Sequence, residues 1–252
     1  LENKLYMLVL IETYDGEIVS DYAFSGFLGA MQAKWSNSDF EVKKTTVGGL
    51  SIIIPMNRDK VILPIGSIEF MKKSAEILGF EMPNPINTPE SLRIWSKRKV
   101  WVSTIDKLYY PVFVKPLTDV KLFTGFVVKR RSDFDLYPEL RGFNGELLCS
   151  EVISGILSEW RCYVLDGKII NCSNYSGDPL QFPDRSKIEF LLSKYYDSPI
   201  GYSLDVMVTK DDTLLVEIND GWALGNYGCD AFGYFKLLKE RWIEILKMNK
   251  LL

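Results

Sequence analysis

The chain has 252 residues, 47% of them hydrophobic and 25% charged, with a formal net charge of −3 and no histidine. That length holds one large domain or two small lobes, and the charge balance gives no general pull toward nucleic acid or an anionic membrane. Without histidine there is no Ser-His or Cys-His nucleophile pair and no histidine zinc ligand, so any chemistry rests on carboxylates, lysine, arginine and a metal. Cys149, Cys162, Cys172 and Cys229 form no Cys-x-x-Cys pair, and free buried thiols in a reducing cytoplasm are expected. No apolar run approaches the roughly 20 residues that span a bilayer, and the apolar start at 5–11 is too short for a signal peptide. Leu1 in place of methionine points to a processed, truncated or engineered start.

Residues 5–12 read as a buried strand. Residues 21–34 are apolar at helical spacing (Phe24, Phe27, Leu28, Met31, Trp35) behind a cap at Ser20 or Asp21, with Gly26 and Gly29 weakening the helix. Two short strands are expected at 50–55 and 60–64, then a helix over 67–78 that stops at Gly79. This alternation argues for a small α/β lobe. Three prolines in residues 82–89 exclude regular structure, and the lobe boundary is placed there. A helix over 90–101 follows, with Thr88 as its cap and Pro89 at its first position. From 112 onward strand-like runs dominate: 112–116, 124–129, 147–153, 160–165, 168–172, 202–208 and 214–218. Helices are expected at 187–196 and 231–252, the second with its aromatic stripe in the core.

Three segments carry the chemistry. In the first, an apolar strand ends in Glu217 and Asn219, which point to one face because side chains alternate. If 201–208 and 214–218 pair across the turn at 210–213, Asp205 reaches the same face. Three oxygen donors so arranged suit a hard cation such as Mg²⁺; two strands with polar outer faces would have the same sequence. In the second, the strand 111–116 ends in Lys115, which is costly to bury unless it meets an anion or an acid. The loop behind it supplies Thr118, Lys121, Thr124 and the backbone of Gly125, donors that could cover a polyphosphate. In the third, Glu151, Val152 and Ile153 lead through Gly155 to Glu159, a connection able to receive an adenine against its backbone and a ribose on a carboxylate. An ordinary hairpin accounts for it equally well.

Together, in this order, the three segments resemble the ATP-grasp superfamily of carboxylate–amine ligases over residues 60–230. The finer resemblance is to a group of short phage and bacterial ATP-grasp proteins, through the stretches 64–70, 98–101 and 121–125. The resemblance implies an α+β ATP-grasp fold, two lobes clasping ATP, at 87–252 behind a small α/β lobe at 1–86. It implies Asp205, Glu217 and Asn219 as Mg²⁺ ligands and Lys115 and Lys121 on the phosphates. Glu151, Val152, Ile153 and Glu159 would hold adenine and ribose. The activity implied is an ATP- and Mg²⁺-dependent ligation in which a carboxylate becomes an acylphosphate and an amine displaces phosphate, the two substrates being unnamed and a peptide or protein among the candidates. Two departures stand out. Relatives place an arginine just ahead of the first metal aspartate, where this chain has Ser203 and Leu204; Arg161, on the strand after the hinge, is the replacement expected. The upstream ATP lysine of relatives is absent, and Arg98 is the nearest cation to its place, or else part of a solvated basic helix face. A non-catalytic nucleotide-binding module and an ATP-grasp kinase are the rival readings.

Overall fold

The computed structural model describes residues 6–36, 39–117 and 122–252. Strands β1 (Met7–Glu12), β2 (Phe40–Thr45) and β3 (Val61–Ile65) form a parallel sheet in the order β2-β1-β3. The run Leu8–Ile11 is fully buried, as a central parallel strand covered on both faces must be. Helices α1 (Asp21–Trp35), α2 (Leu50–Ile53) and α3 (Ile68–Leu78) connect and cover it. Ser67 caps α3 by accepting from the Phe70 amide, and Gly79 ends it at φ 91°.

Local structure departs from expectation in four places. Residues 50–55 are helical rather than extended: Leu50 and Ile54 lie one turn apart and bury together against Leu8 and Leu10. Strand β2 was not expected; it pairs along an edge of β1, and its register is set by that partner. Helix α1 turns its small residues inward, burying Ala23, Gly26, Gly29, Ala30 and Ala33 and leaving Phe24, Leu28 and Trp35 exposed. Its glycines therefore serve close packing: a Cβ on Gly29 would lie 1.9 Å from the Ala231 carbonyl oxygen, and one on Gly26 2.6 Å from Ile65 Cγ2. The helix expected over 90–101 is reduced to α4 (Glu90–Arg93) and one 3₁₀ turn, with Pro89 rather than Thr88 at the N-cap. Lys97, at φ 50°, turns the chain into strand β4 (Val100–Ser103).

Two antiparallel sheets follow. The first has the order β4-β7-β5-β6, built from β5 (Val112–Pro116), β6 (Phe126–Val128) and β7 (Leu147–Ser150). The second has the order β11-β10-β8-β9, built from β8 (Ile156–Leu165), β9 (Lys168–Gly177), β10 (Gly201–Thr209) and β11 (Thr213–Asp220). Helix α5 (Arg185–Lys194) packs Ile188 and Leu191 beneath the second sheet. Helix α6 (Ala231–Met248) leaves that sheet and buries Phe235, Leu238, Trp242 and Ile245 in the same core as β1, β3 and α1. The Trp242 indole donates to the Ile62 carbonyl at 2.6 Å, so the last helix ties the two ends of the chain together.

Candidate active site

The 151–155 segment is no hairpin, because β7 and β8 belong to different sheets. It forms the back of a cavity of about 500 Å³ between the two sheets, lined by Glu151, Val152, Ile153, Glu159, Arg98 and Lys115, among others. Glu151 is tied to the start of β4: its carboxylate accepts from the Lys99 amide at 2.8 Å, and its own amide donates to the Lys99 carbonyl at 3.1 Å. Glu159 is half-buried, and burial raises its pKa against an opposing hydrogen bond from Tyr175. Arg98 is turned inward rather than lying on a solvated helix face. It donates to the Val216 carbonyl at 2.5 Å, and its Nε is buried with no partner among the described residues. Burial lowers its pKa, with Glu217 and Glu159 opposing. An inward guanidinium with a spare donor is ready for an anion.

Asp205, Glu217 and Asn219 converge. Strands β10 and β11 pair with Asp205 opposite Glu217 and Ser203 opposite Asn219, and the register shifts just beyond, between Asp205 and Val206. Directly opposed residues share a face, so both carboxylates and the amide crowd one point. The Asn219 Nδ2 donates to Asp205 Oδ2 at 3.1 Å and to Glu217 Oε1 at 3.0 Å. Two cations hold the carboxylates. Lys115 Nζ lies 2.5 Å from Glu217 Oε2, joining the first sheet to the second. Arg161, directly opposite Asp205 on β8, grips it with two bonds, Nε to Oδ1 at 2.9 Å and Nη2 to Oδ2 at 2.6 Å. Its Nη1 donates to the Gly225 carbonyl at 3.2 Å, and its guanidinium lies 4.6 Å from the centre of the Tyr227 ring.

Electrostatics follow from that packing. Asp205 is 1% exposed, and Ser203 donates to its Oδ1 at 3.1 Å. Burial alone disfavours the Arg161 charge, but the hydrogen bonds to Asp205 override it and push the pKa up. Burial also opposes the Glu217 charge; the Lys115 charge and hydrogen bond outweigh it and hold that carboxyl below its ordinary value. Each carboxylate is thus kept ionised by a cation from a neighbouring strand. Two carboxylates and an amide oxygen are all hard donors, so the set fits Mg²⁺; Asn219 would have to turn its Oδ1, not Nδ2, to the ion. Among the described residues no cluster of three or more His, Cys, Asp or Glu forms another metal site.

Lys121 and Thr118 lie outside the described residues. Thr124 and Gly125 line the cavity beside Lys115; a Cβ on Gly125 would lie 2.5 Å from the Phe113 ring, so only glycine lets this loop press on β5. Sequence reasoning did not single out a second cavity of about 700 Å³, which shares Lys115, Thr124, Gly125 and Glu217 with the first. Its far walls come from Ile68 on α3, the linker at Asn87, and Trp222 and Tyr227 after β11. Trp222 is buried with an indole Nε1 that has no partner among the described residues. The only sequence signal was the run of turn residues after Asp220, which scatters these side chains until the fold gathers them.

Comparisons with known proteins agree with this architecture. The family model of an ATP-grasp domain, the second family of its clade, matches residues 95–237. The fold is similar to D-alanine–D-alanine ligase of Bacillus anthracis, at 14% identity and a TM-score of 0.60 over 97% of this chain and 99% of that one. The same enzyme complexed with ATP gives 17% identity and a TM-score of 0.57, over 98% and 99%. N5-carboxyaminoimidazole ribonucleotide synthetase of Thermotoga maritima gives 12% identity and a TM-score of 0.53, over 94% of this chain and 76% of that one. A search of curated proteins finds no sequence match. With more than half its length matched by the family model and its folded plan shared with ATP-grasp enzymes, the chain belongs to the ATP-grasp superfamily.

Proposed function

We propose that the protein is an ATP-dependent ligase that activates a carboxylate as an acylphosphate for attack by an amine, with residues 1–86 completing the acceptor side of an ATP-grasp unit at 87–252. The observation that carries this reading is the shared wall between the two cavities. Lys115 and Glu217 belong to both, and Asp205, Asn219 and Arg161 stand directly behind them. A nucleotide in the smaller cavity, with its adenine on 151–153 and ribose on Glu159 or Glu151, would present its last phosphate at that wall. Arg98 and Lys115, with Lys121, meet the phosphate oxygens. The acceptor carboxylate approaches from the larger cavity.

The chemistry needs alignment and charge neutralisation more than covalent help from the protein. A carboxylate oxygen attacks the γ-phosphorus, ADP leaves, and the amine nitrogen then attacks the acyl carbon, expelling phosphate as the nitrogen loses its proton. Asp205, Glu217 and Asn219 would hold Mg²⁺, whose contribution is to offset negative charge on the phosphate oxygens. Arg161 positions Asp205 and offers, on its Nη1 side, the positive charge that relatives take from the strand of Ser203. The Trp222 Nε1 is a spare donor for an acceptor oxygen. No dedicated base is required when the ammonium proton departs to a substrate or site carboxylate.

The test is a screen for phosphate release with ATP, Mg²⁺, candidate carboxylates and amines. Ligation requires both substrates, and ¹⁸O in the carboxylate must appear in released phosphate. Phosphate retained on a product without need of an amine makes the protein a kinase, and nucleotide binding without turnover makes it a binding module.

A further inference from the structure

On the face of β8 turned away from Arg161, two thiols meet. Cys162 and Cys172 are direct partners across antiparallel strands β8 and β9, and their sulfurs lie 2.7 Å apart. Cys162 is fully buried and packs in the core beneath the second sheet, whereas Cys172 is partly exposed. Opposed residues on antiparallel strands have Cα atoms roughly 4.5–5.5 Å apart, inside the range a disulfide spans without backbone movement. Neither other cysteine shares this setting: Cys149 is buried in the core of the first sheet and Cys229 in that of the parallel sheet.

Access comes from one side. Cys172 lines a groove of about 640 Å³ between β8, β9 and α5, walled by Trp160, Phe182 and Ile188 and edged by Lys168 and Arg185. Glu189 also lines it, and Arg185 is paired with Glu189 at 2.7 Å, leaving Lys168 to favour an anionic visitor. The hydrogen bond between the thiols lowers the pKa of Cys172 and raises that of Cys162. The outer sulfur thus has the greater thiolate character, as an attacking thiol needs, and the inner one is placed to resolve.

We propose that Cys162 and Cys172 are a redox-active dithiol that closes to a disulfide by exchange with a small anionic disulfide such as glutathione disulfide. Cys172 Sγ attacks one sulfur of the reagent, releasing one glutathione thiolate and leaving a mixed disulfide in the groove. Cys162 Sγ then loses its proton and attacks Cys172 Sγ, releasing the second glutathione. Overall the protein loses two electrons and two protons, and one glutathione disulfide becomes two glutathiones. The new bond pins β9, which carries Tyr175, to β8, which carries Glu159 and Arg161; both strands serve the nucleotide cavity.

The folded full-length chain is incubated with graded ratios of reduced to oxidised glutathione, acid-quenched, alkylated under denaturing conditions and mapped by mass spectrometry. The expected product has lost two hydrogens, carries one Cys162–Cys172 link, and keeps Cys149 and Cys229 alkylatable. Its unfolding midpoint rises on the order of 5 °C, as expected for closing a loop of about ten residues. Cys172→Ser, on the partly exposed side, folds and forms no link; Cys149→Ser keeps the link. Four alkylatable thiols at every ratio, a glutathione adduct left standing on Cys172, or links scattered onto Cys149 and Cys229 would overturn the proposal.

Discussion

Replacing Arg161 with methionine tests the centre of the site. The side chain is 9% exposed and its partner Asp205 2%, so the variant leaves a carboxylate in a dry place with only Ser203 and Asn219 as donors. Removing one member of a buried pair costs about 3–5 kcal/mol, because the survivor keeps its desolvation penalty without its counter-charge. Two charge-assisted bonds to Asp205 and one to Gly225 are lost together, which places this variant in that range. The assay is urea unfolding of wild type, Arg161→Met, Asp205→Asn and the double variant, with and without Mg²⁺. The double variant should recover much of the loss, since no charge is then stranded. Mg²⁺ should raise the midpoint of Arg161→Met more than that of wild type, by neutralising the freed carboxylate. A single variant within about 1 kcal/mol of wild type, or a double variant no better than the sum of the singles, refutes the reasoning.

Other consequences can be checked directly. Arg161→Lys, which retains charge but not the two-pronged grip, should lower turnover at least about tenfold with little change in ATP affinity; equal losses in both would show a ground-state role instead. Glu217→Gln should abolish Mg²⁺-dependent turnover with an unchanged circular dichroism spectrum, and persistent turnover removes Glu217 from the metal site. Lys115→Met should weaken ATP binding and change the acid limb of stability. Glu217 is held below its ordinary value of about 4.3, so the pair's contribution is complete above that value and fades as pH falls through the depressed one. With Lys115 gone, burial raises the carboxyl and the fall in stability on acidification should begin at higher pH; a profile moved to lower pH contradicts this. Gly29→Ala should cost about 1–3 kcal/mol or more, read as a lowered unfolding midpoint, because its Cβ meets the Ala231 backbone. A neutral or stabilising result would mean α1 can slide along α6.

The sequence alone determined the parts whose chemistry is local. Strand alternation put Glu217 and Asn219 on one face, and the turn at 210–213 made Asp205 their neighbour, because a short antiparallel hairpin leaves few registers to choose from. A lysine closing an apolar strand required an anionic partner, and the three-proline linker could not be regular structure. Tertiary structure decided everything in which two distant segments share a cost. Glu217 stands where Lys115 meets it because two separate sheets face each other, and no spacing in the chain encodes that distance. Arg161 was legible as one face of β8, yet its grip on Asp205 depends on β8 and β10 lying side by side. Helix α1 read as apolar on its large residues and buried its small ones instead, since α6, from the far end of the chain, approaches too closely for anything larger than glycine at position 29. Leu50 to Ile54 held apolar residues suited to either a strand or a helix; packing Leu50 and Ile54 one turn apart against β1 selected the helix. Propensity and pattern act within a few residues, whereas burial is awarded by whichever surface arrives from elsewhere in the chain.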